Sequence, residues 1–339
     1  MSEATPVLLL PAALVDPTWI GADRVAELAA SPCWAALARR ATERAQAGSD
    51  GPPPHDPGHE RWLHARLALP AGAAFAAAAA LADGVADAAW RIDPVHLHVG
   101  RDHLVLTDPA SLSLSREDAD ALAAAIAPLL SDEGLALEIG TPKRWYLRET
   151  DPARRLALRT RPLSGATGRN IDAWLPQGDD ARRWRRIVNE IQMTWHALNE
   201  AREAARGPAV NSVWIEGRCP LAAPGVERDA AARLAAREPG AGPVETVLAD
   251  GTRLRLDERL HEAQLAGDPA GWLAAWRCLE ADTLAAIVRA DAAWRAGARI
   301  VLAGDAGWRE IEVAPRAGWR FWRRTHGAAL FSEPGTPRR

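Results

Sequence analysis

The chain has 339 residues, of which 48% are hydrophobic and 25% charged, and its formal net charge is -3. This composition predicts a soluble globular protein of two or three domains. The 41 basic residues are balanced by 44 acidic ones, which argues against a basic nucleic-acid-binding chain, so we expect no nucleic acid partner.

Cysteine spacing and hydropathy indicate the cellular compartment in which we expect the protein. Cys33, Cys219 and Cys278 lie far apart and lack the spacing of disulfide frameworks or zinc ribbons, which fits a reducing cytoplasm. The apolar run VLLLPAALV is interrupted by Pro11, follows no basic stretch and is too short to span a bilayer. We interpret the run as a buried strand or sheet edge and expect no membrane partner.

The N-terminal region, residues 1–92, combines strand and helix signals. Ser31 and Pro32 predict a helix start and Gly48 its end, with Trp34, Leu37, Ala38 and Ala41 on one face. Residues 48–58 are rich in proline and glycine, which predicts a linker or loop. An alanine-rich helical stretch follows to about Trp90.

The middle region, residues 93–220, begins with strand-like runs. VHLHV and LVLTD flank GRDH and predict a hairpin, and Ser115 predicts the cap of a helix with Glu117 and Asp118 in its first turn. LALEI, RWYLR and RLALRT are further strand candidates. Strands with interspersed helices predict an α/β or α+β fold with a mixed sheet flanked by helices.

The C-terminal region, residues 221–339, has weaker signals at first. Asp250 and Gly251 predict a hairpin turn. Asp268 and Pro269 predict the start of a helix with Trp272, Trp276 and Leu279 at core spacing. A second helix to about Arg295 and a closing hairpin, RIVLAGDAGWREIEV, are expected to follow.

A long helix after Asp179 and Asp180 carries the most informative pattern. One stripe is apolar and comprises Trp184, Ile187, Ile191, Trp195 and Leu198. The neighbouring stripe is polar and comprises Asn189, Gln192, His196, Asn199 and Glu203. This row of amides and an imidazole either lines a pocket, or faces water or caps backbone groups.

Arginines and tryptophans beside this row suggest two further roles. Arg202 near the helix end either interacts with the helix dipole or clamps a phosphate or carboxylate, because the guanidinium fork matches either anion. Trp214 or Trp174 could stack on a ligand, whereas most other tryptophans are expected in the core.

Several motifs of this region together resemble a known family. The segment from Asn199 to Arg202, a turn at Gly207 and Pro208, and VNSVWIEG with Asn211 and Trp214 are similar to archaeal-type cofactor-independent phosphoglycerate mutases. GRNIDAWLPQG, NEIQM, DHLVLTDP and RWYL resemble more closely the proteobacterial proteins described as RpfE-type regulatory proteins or phosphoglycerate mutases. The resemblance runs from about Asp93 to Gly217, with a weaker echo in FWRR near the C-terminus. It implies part of an alkaline phosphatase-like fold.

The catalytic motifs that the resemblance implies are not recognisable. Such enzymes need a serine or threonine nucleophile between two metals held by aspartates and histidines. Pro11 and Ala12 stand where an Asp-Gly pair is expected, and only His261 and His326 lie beyond residue 200. The motif that resembles WxWGGG here reads WIEGRC. We therefore assign no catalytic residue, no cofactor and no metal ligand.

Two other residue groups have competing interpretations. His96, His98 and His103, with Asp93 and Asp102, could gather around a metal on a hairpin or simply pair across strands and face solvent. Arginines around Trp184, and WRFWRR near the C-terminus, could contact nucleic acid, but solvated helix faces explain them better.

The sequence thus predicts a catalytically degenerate, regulatory protein that binds a small phosphorylated or carboxylated metabolite. The expected ligand-binding residues are Arg169, Asn170, His196, Asn199, Arg202, Asn211 and Trp214. One alternative is an active metal-dependent mutase or phosphohydrolase with noncanonical ligands. Another is a protein interaction module without a small ligand, which would expose its tryptophans as an apolar patch.

Overall fold

A computed structural model describes most of the chain. The described residues are 5–48, 56–69, 76–85, 88–100, 103–206, 209–219, 227–237, 240–314 and 331, without the side chains of residues 22, 197 and 200–206. Most of the predicted linker at 48–58, the turn at Gly207 and Pro208, and the WRFWRR motif lie outside this part.

Strands and helices are interspersed along the chain. The strands are β1 (Val7–Leu14), β2 (Ala41–Gly48), β3 (Trp90–Val95), β4 (Leu97–Val99), β5 (Leu104–Leu106), β6 (Leu135–Thr141), β7 (Arg144–Glu149), β8 (Ser212–Arg218), β9 (Val244–Val247), β10 (Arg253–Leu256), β11 (Ala298–Gly304) and β12 (Gly307–Val313). The helices are α1 (Pro17–Ile20), α2 (Ala22–Ala29), α3 (Pro32–Ala38), α4 (Gly58–Arg66), α5 (Ala76–Ala82), α6 (Arg116–Asp132), α7 (Leu163–Ala166), α8 (Ala181–Arg206), α9 (Arg228–Ala235), α10 (Arg259–Leu265), α11 (Pro269–Leu279) and α12 (Ala285–Arg289). A π-helical turn, Glu280–Leu284, joins α11 to α12.

The chain divides into two compact units. One comprises residues 1–63 and 237–339, and the other comprises residues 64–236. The first unit joins the two ends of the chain because β1 pairs in parallel with both β10 and β11. The sequence, by contrast, suggested three consecutive regions, since such long-range pairing leaves no local signal.

The first unit is built on a mixed sheet. Within the described residues its strand order is β2-β12-β11-β1-β10-β9, with β11, β1 and β10 parallel and the remaining neighbours antiparallel. Every residue of β1 is buried, as expected for a central parallel strand. Tryptophans of α3 and α11 pack with β1 and β11 in one apolar cluster.

Two tryptophans of this cluster offer a matched test of a buried hydrogen bond. Trp272 Nε1 donates to the carbonyl of Ala12 at 2.8 Å, whereas Trp34 Nε1 is buried without a partner among the described residues. Replacing either by phenylalanine removes similar packing, but only Trp272→Phe leaves a buried carbonyl unpaired. We expect Trp272→Phe to lower the free energy of unfolding by about 1–2 kcal/mol more than Trp34→Phe. Urea denaturation of both variants checks this; equal losses would contradict it.

The second unit is a sheet between two helical layers. Its described strands run in the order β6-β7-β3-β8, all antiparallel to their neighbours. One face carries Trp90, Ile92 and Trp145, which pack against apolar residues of α6 and α8. On the other face Tyr146 packs with alanines of α5. Ser115 caps α6, as predicted, and it also forms a capping box with Asp118.

Three local predictions from the sequence are wrong. The helix from Ser31 ends at Ala38, and Ala41–Gly48 forms β2, which pairs antiparallel with β12. An edge strand exposed along most of its length lacks the apolar alternation that would reveal it. Residues 155–160, RLALRT, form no strand beyond a bridge between Arg159 and Gln177. Leu198 is 43% exposed rather than buried.

The predicted fold class is confirmed, because the structure has mixed and antiparallel sheets flanked by helices. The hairpins β4–β5, β9–β10 and β11–β12 are also confirmed. Of the helices in the described residues, none has the length and apolar character needed to cross a membrane.

Candidate functional site

The structure brings two of the predicted asparagines together at the start of β8. Asn199 on α8 donates from Nδ2 to the carbonyl of Val210 at 2.9 Å. The neighbouring Asn211 accepts from Leu97 N at 2.8 Å and donates to Leu97 O at 3.0 Å. The side-chain amide of Asn211 therefore pairs with the backbone of Leu97 as a neighbouring strand residue would. Through this pair Asn211 fastens the β4–β5 hairpin to β8.

More polar side chains join these asparagines. Gln192 Nε2 lies 3.2 Å from Ser212 Oγ, and His96 Nδ1 lies 2.7 Å from the carbonyl of Ala209. We call Gln192, Asn199, Asn211 and Ser212 the amide cluster. Asn199 is only 6% exposed and its Oδ1 has no hydrogen-bond partner among the described residues. A buried acceptor without a donor is costly, so this atom marks a place where a ligand or water can donate.

Arg169 and Asn170 lie on the other side of the same hairpin. Gly168 N donates to Leu106 O at 2.8 Å and Ile171 N to Leu104 O at 3.1 Å, which ties this segment to β5. The Arg169 guanidinium lies 5.6 Å from the centre of the Trp174 ring, within cation–π range. Asn170 is exposed, and its Oδ1 accepts from Asp172 N at 2.9 Å.

Trp214 lies beneath this segment rather than on the surface. It is 4% exposed and packs with Leu97 and Trp174 in a small apolar cluster. Its Nε1 donates to the carbonyl of Arg161 at 3.0 Å. Trp214 therefore holds residues 159–174, the Arg169 segment, against β8.

Two predicted ligand-binding residues have no described contact in this neighbourhood. His196 is exposed on α8, and the side chain of Arg202 lies outside the described part of the chain. The row of polar residues predicted on α8 thus divides: Asn199 is buried and Gln192 half-buried, whereas Asn189 and His196 face solvent.

The histidines of the β4–β5 hairpin occupy separate environments. The rings of His96 and His98 are 6.5 Å apart, and His98 is exposed. Asp93 is paired with Arg91, and Asp102 lies outside the described residues. In the described ranges no three histidine, cysteine, aspartate or glutamate side chains are grouped to hold a metal.

A buried charged network that the sequence reading missed lies on the α5 side of the second unit's sheet. Arg91 Nη2 lies 2.6 Å from Asp93 Oδ2, and Arg91 Nη1 lies 3.3 Å from Glu216 Oε1. Arg144 bonds both oxygens of Asp83, at 3.0 and 2.8 Å. The Tyr146 hydroxyl donates to Asp83 Oδ2 at 2.7 Å. We call these five charged residues and Tyr146 the charged network.

The charged network fits the sheet closely. A Cβ added at Gly140 on β6 would lie 2.7 Å from Asp83 Oδ2, so only glycine leaves room for this carboxylate. The sequence feature that could have predicted this network is the placement of Arg91 and Asp93 two residues apart in the otherwise apolar β3, which puts both side chains on one face of the sheet.

Burial in the charged network raises the pKa of two of its carboxyl groups. Burial raises the pKa of the Glu216 carboxyl, and Arg91 only partly offsets this. Burial likewise raises the pKa of Asp93, against the opposing effect of Arg91. The network sets three carboxyl groups against two guanidinium groups, and an unbalanced buried negative charge is unfavourable. Burial also raises the pKa of the neighbouring Cys219 to about 12, which keeps this thiol protonated.

The arginines at the start of α8 have a structural role. Arg183 and Arg186 both bond the Glu133 carboxylate, at 2.9 and 2.6 Å, and Arg154 approaches it at 3.2 Å. Trp184 between them is buried in the core. The basic and aromatic residues here stabilise the junction of α6 and α8.

A second group of buried polar residues lies in the first unit, after the carboxyl end of β10. The His59 and His261 rings are 4.7 Å apart, and Arg237 pairs with Glu258. Gly58 allows His59 this position, because a Cβ at residue 58 would lie 2.0 Å from the carbonyl of Gly307. Burial, together with His261 and Arg237, lowers the pKa of His59 well below its usual value.

Comparisons of sequence and of structure with known proteins give different results for this chain. No protein-family profile matches the chain, and no curated protein shows significant sequence similarity. Among solved structures, the chain is similar to the cofactor-independent phosphoglycerate mutase from Thermoplasma acidophilum DSM 1728, with 15% identity and a TM-score of 0.38 over 96% of this chain and 95% of that one. A likeness of this size does not establish an activity for this chain.

Proposed function

We propose that the chain is a regulatory protein without catalytic activity that binds a small phosphorylated or carboxylated metabolite in its second unit. The ligand would contact Arg169 and Asn170 on one side of the β4–β5 hairpin and the amide cluster on the other. The motifs that resemble phosphoglycerate mutases include these residues.

The buried Oδ1 of Asn199 carries the proposal. This acceptor has no donor among the described residues, although its Nδ2 is fixed on Val210. A hydroxyl group of a ligand would supply the donor. Sites that hydrogen-bond a substrate hydroxyl discriminate strongly against analogues that lack it, because the buried acceptor is then left unpaired.

Arg169 supports an anionic ligand. Its guanidinium is oriented across the Trp174 ring, and the segment that carries it is tied to β5 by two backbone hydrogen bonds. A pre-positioned guanidinium binds a phosphate or carboxylate with less loss of conformational freedom than a mobile one. A hydroxylated phosphate or carboxylate offers both chemical groups that these residues call for, an anion for Arg169 and a hydroxyl donor for Asn199.

The proposed absence of catalytic activity rests on the residues near the end of β1. Pro11 and Ala12 occupy the place where the resembled enzymes would carry an Asp-Gly pair. Both are buried, and the Ala12 carbonyl accepts the Trp272 hydrogen bond. Neither side chain can act as a metal ligand or nucleophile.

Binding is tested by isothermal titration with 3-phosphoglycerate. We expect a dissociation constant below about 1 mM, and weakening by about tenfold or more in Arg169→Gln, because a charge-assisted hydrogen bond is lost. Asn199→Leu and Arg202→Ala should also weaken binding. Arg185→Gln is the matched control, since Arg185 is exposed and contacts only Ala181 O of its own helix among the described residues.

Two results would count against the proposal. Wild-type affinity weaker than about 1 mM, unchanged in Arg169→Gln and Arg202→Ala, would contradict the metabolite site. Turnover of 3-phosphoglycerate in the presence of manganese would contradict the non-catalytic part and favour an active metal-dependent enzyme.

A further inference from the structure

The paired strands β3 and β8 separate beside the amide cluster. Their pairing ends with Val95 opposite Ser212, and the last backbone hydrogen bond between them runs from Asn211 N to Val95 O at 3.1 Å. Beyond this point, within the described residues, hydrogen bonds from side chains connect residues 96–98 to residues 209–211. Side chains instead of backbone pairing hold the two backbones apart, so the sheet opens beside the amide cluster.

His96 is one of the two side chains that bridge this opening. Its Nδ1 lies 2.7 Å from the carbonyl oxygen of Ala209. A carbonyl oxygen only accepts hydrogen bonds, so Nδ1 is the protonated ring nitrogen. The backbone is fixed as well, because the His96 carbonyl accepts from Thr107 N at 3.0 Å. The ring of His96 is therefore held both through its backbone and through Nδ1.

The second ring nitrogen of His96 is left for another partner. Nε2 makes no hydrogen bond with the described residues, and it is not among the fully buried unpaired atoms of this part of the chain. With Nδ1 protonated, a neutral ring presents a lone pair at Nε2, whereas a charged ring presents an N–H donor there. The neutral ring of His96 therefore disfavours an anion at Nε2, and the protonated ring binds one.

The described surroundings of His96 contain few charges. His98 on β4 is exposed, and its ring is centred 6.5 Å from that of His96. Residues 209–212 and β5 carry no titratable side chain, and α8 contributes the uncharged amides of the amide cluster. On β3, Asp93 is already paired with Arg91. In the described part of the chain, no carboxylate forms an ion pair with His96.

We infer that His96 is a ligand-contacting residue, which takes up a proton when an anionic ligand binds in the opening beside the amide cluster. The proton comes from the buffer and adds to Nε2, and the new N–H donates to a phosphate or carboxylate oxygen of the ligand. Nδ1 keeps its proton and its bond to Ala209. The inference rests on the proposed function and refines it, because the ligand would then carry two anionic groups, one for Arg169 and one for His96.

Calorimetry in two buffers measures this proton. 3-Phosphoglycerate, which carries both a phosphate and a carboxylate, is titrated into the full chain at pH 7.5 in buffers with different heats of ionisation. The difference in heat gives the number of protons taken up for each ligand bound. We expect the wild type to take up roughly half a proton or more, because a histidine ring is mostly neutral at this pH until an anion stabilises its charged form.

His96→Asn separates the two ring nitrogens. Asparagine keeps an N–H donor near the position of Nδ1 for the Ala209 carbonyl, but it has no group that can take up a proton. We expect this variant to lose the proton uptake of the wild type and to bind 3-phosphoglycerate about tenfold more weakly. Urea denaturation should show that its stability stays close to that of the wild type.

His98→Asn is the matched control, because His98 lies on the same hairpin but is exposed. This variant should keep the affinity and the proton uptake of the wild type. Should His96→Asn fail to fold, the ¹⁵N resonance of His96 Nε2 in the wild type gives the same information, since it should move to its protonated position when 3-phosphoglycerate is added.

The outcomes separate this inference from the proposed function. Binding without proton uptake, uptake that persists in His96→Asn, or a Nε2 resonance that does not move would overturn the role of His96 alone. No binding of 3-phosphoglycerate to the wild type would overturn the proposed function and the role of His96 together.

Discussion

Replacing Asp83 by alanine is expected to destabilise the second unit by about 3–5 kcal/mol, because the change leaves the buried Arg144 guanidinium without its carboxylate. The Arg144 and Asp83 side chains are only 11% and 6% exposed. The Tyr146 hydroxyl also loses its acceptor. Hydrogen exchange of the β7 amides in increasing urea, which reports on this unit alone, measures the loss.

A double variant and a surface pair test the cause. Asp83→Ala with Arg144→Leu removes both charges and should recover much of the lost stability, since uncharged residues replace the ion pair. Asp120→Ala breaks the Arg116–Asp120 pair of the same unit, whose side chains are 59% and 56% exposed. This control should change stability by less than about 1 kcal/mol. A similar loss in both single variants would contradict a special role for burial.

The first unit is expected to lose stability on acidification because of His59. Its folded-state pKa is well below the ordinary value, since burial, His261 and Arg237 all disfavour the charged imidazole. The unfolded chain takes up a proton below about pH 6.5 that folded His59 does not. The stabilisation is therefore present above the unfolded pKa and is lost as the pH falls below it, by up to about 1.4 kcal/mol per pH unit.

Hydrogen exchange of the β1 amides at pH 7.5 and pH 5.5 measures this effect in the first unit. We expect the wild type to lose about 1 kcal/mol more than His59→Gln over this range, because glutamine removes the titrating ring. The idea fails if His59→Gln keeps the full wild-type pH dependence.

Local signals predicted the elements whose physical cause is local. The Ser115 cap of α6, the strand at β1, and the apolar stripe of Trp184, Ile187, Ile191 and Trp195 all follow from spacing and cap chemistry. The β2 strand did not, because the strand it pairs with in the described part of the chain is β12, more than 250 residues away in the sequence. Propensity alone favoured a helix there.

The candidate site, like the fold, could be predicted only in part from the local sequence. Asn199 and Asn211 stood out because asparagine is unusual in a helix or strand, and the structure places both at the start of β8. The hydrogen-bond partners of these side chains could not be predicted from spacing. Asn211 fastens a hairpin, whereas Asn199 keeps an acceptor that has no partner among the described residues. Trp214, a candidate stacking residue, is instead buried beneath the Arg169 segment.

By itself, the sequence determined the fold class, most helix and strand positions, and the segment that carries the unusual polar residues. Periodicity and capping act between residues a few positions apart, so they can be recognised from the sequence alone. The tertiary structure alone decided the pairing of β1 with strands from the far end of the chain and the charged network around Arg91 and Glu216. These depend on burial and on charges brought together from distant positions, and only the folded chain has a low-dielectric interior in which such contacts matter.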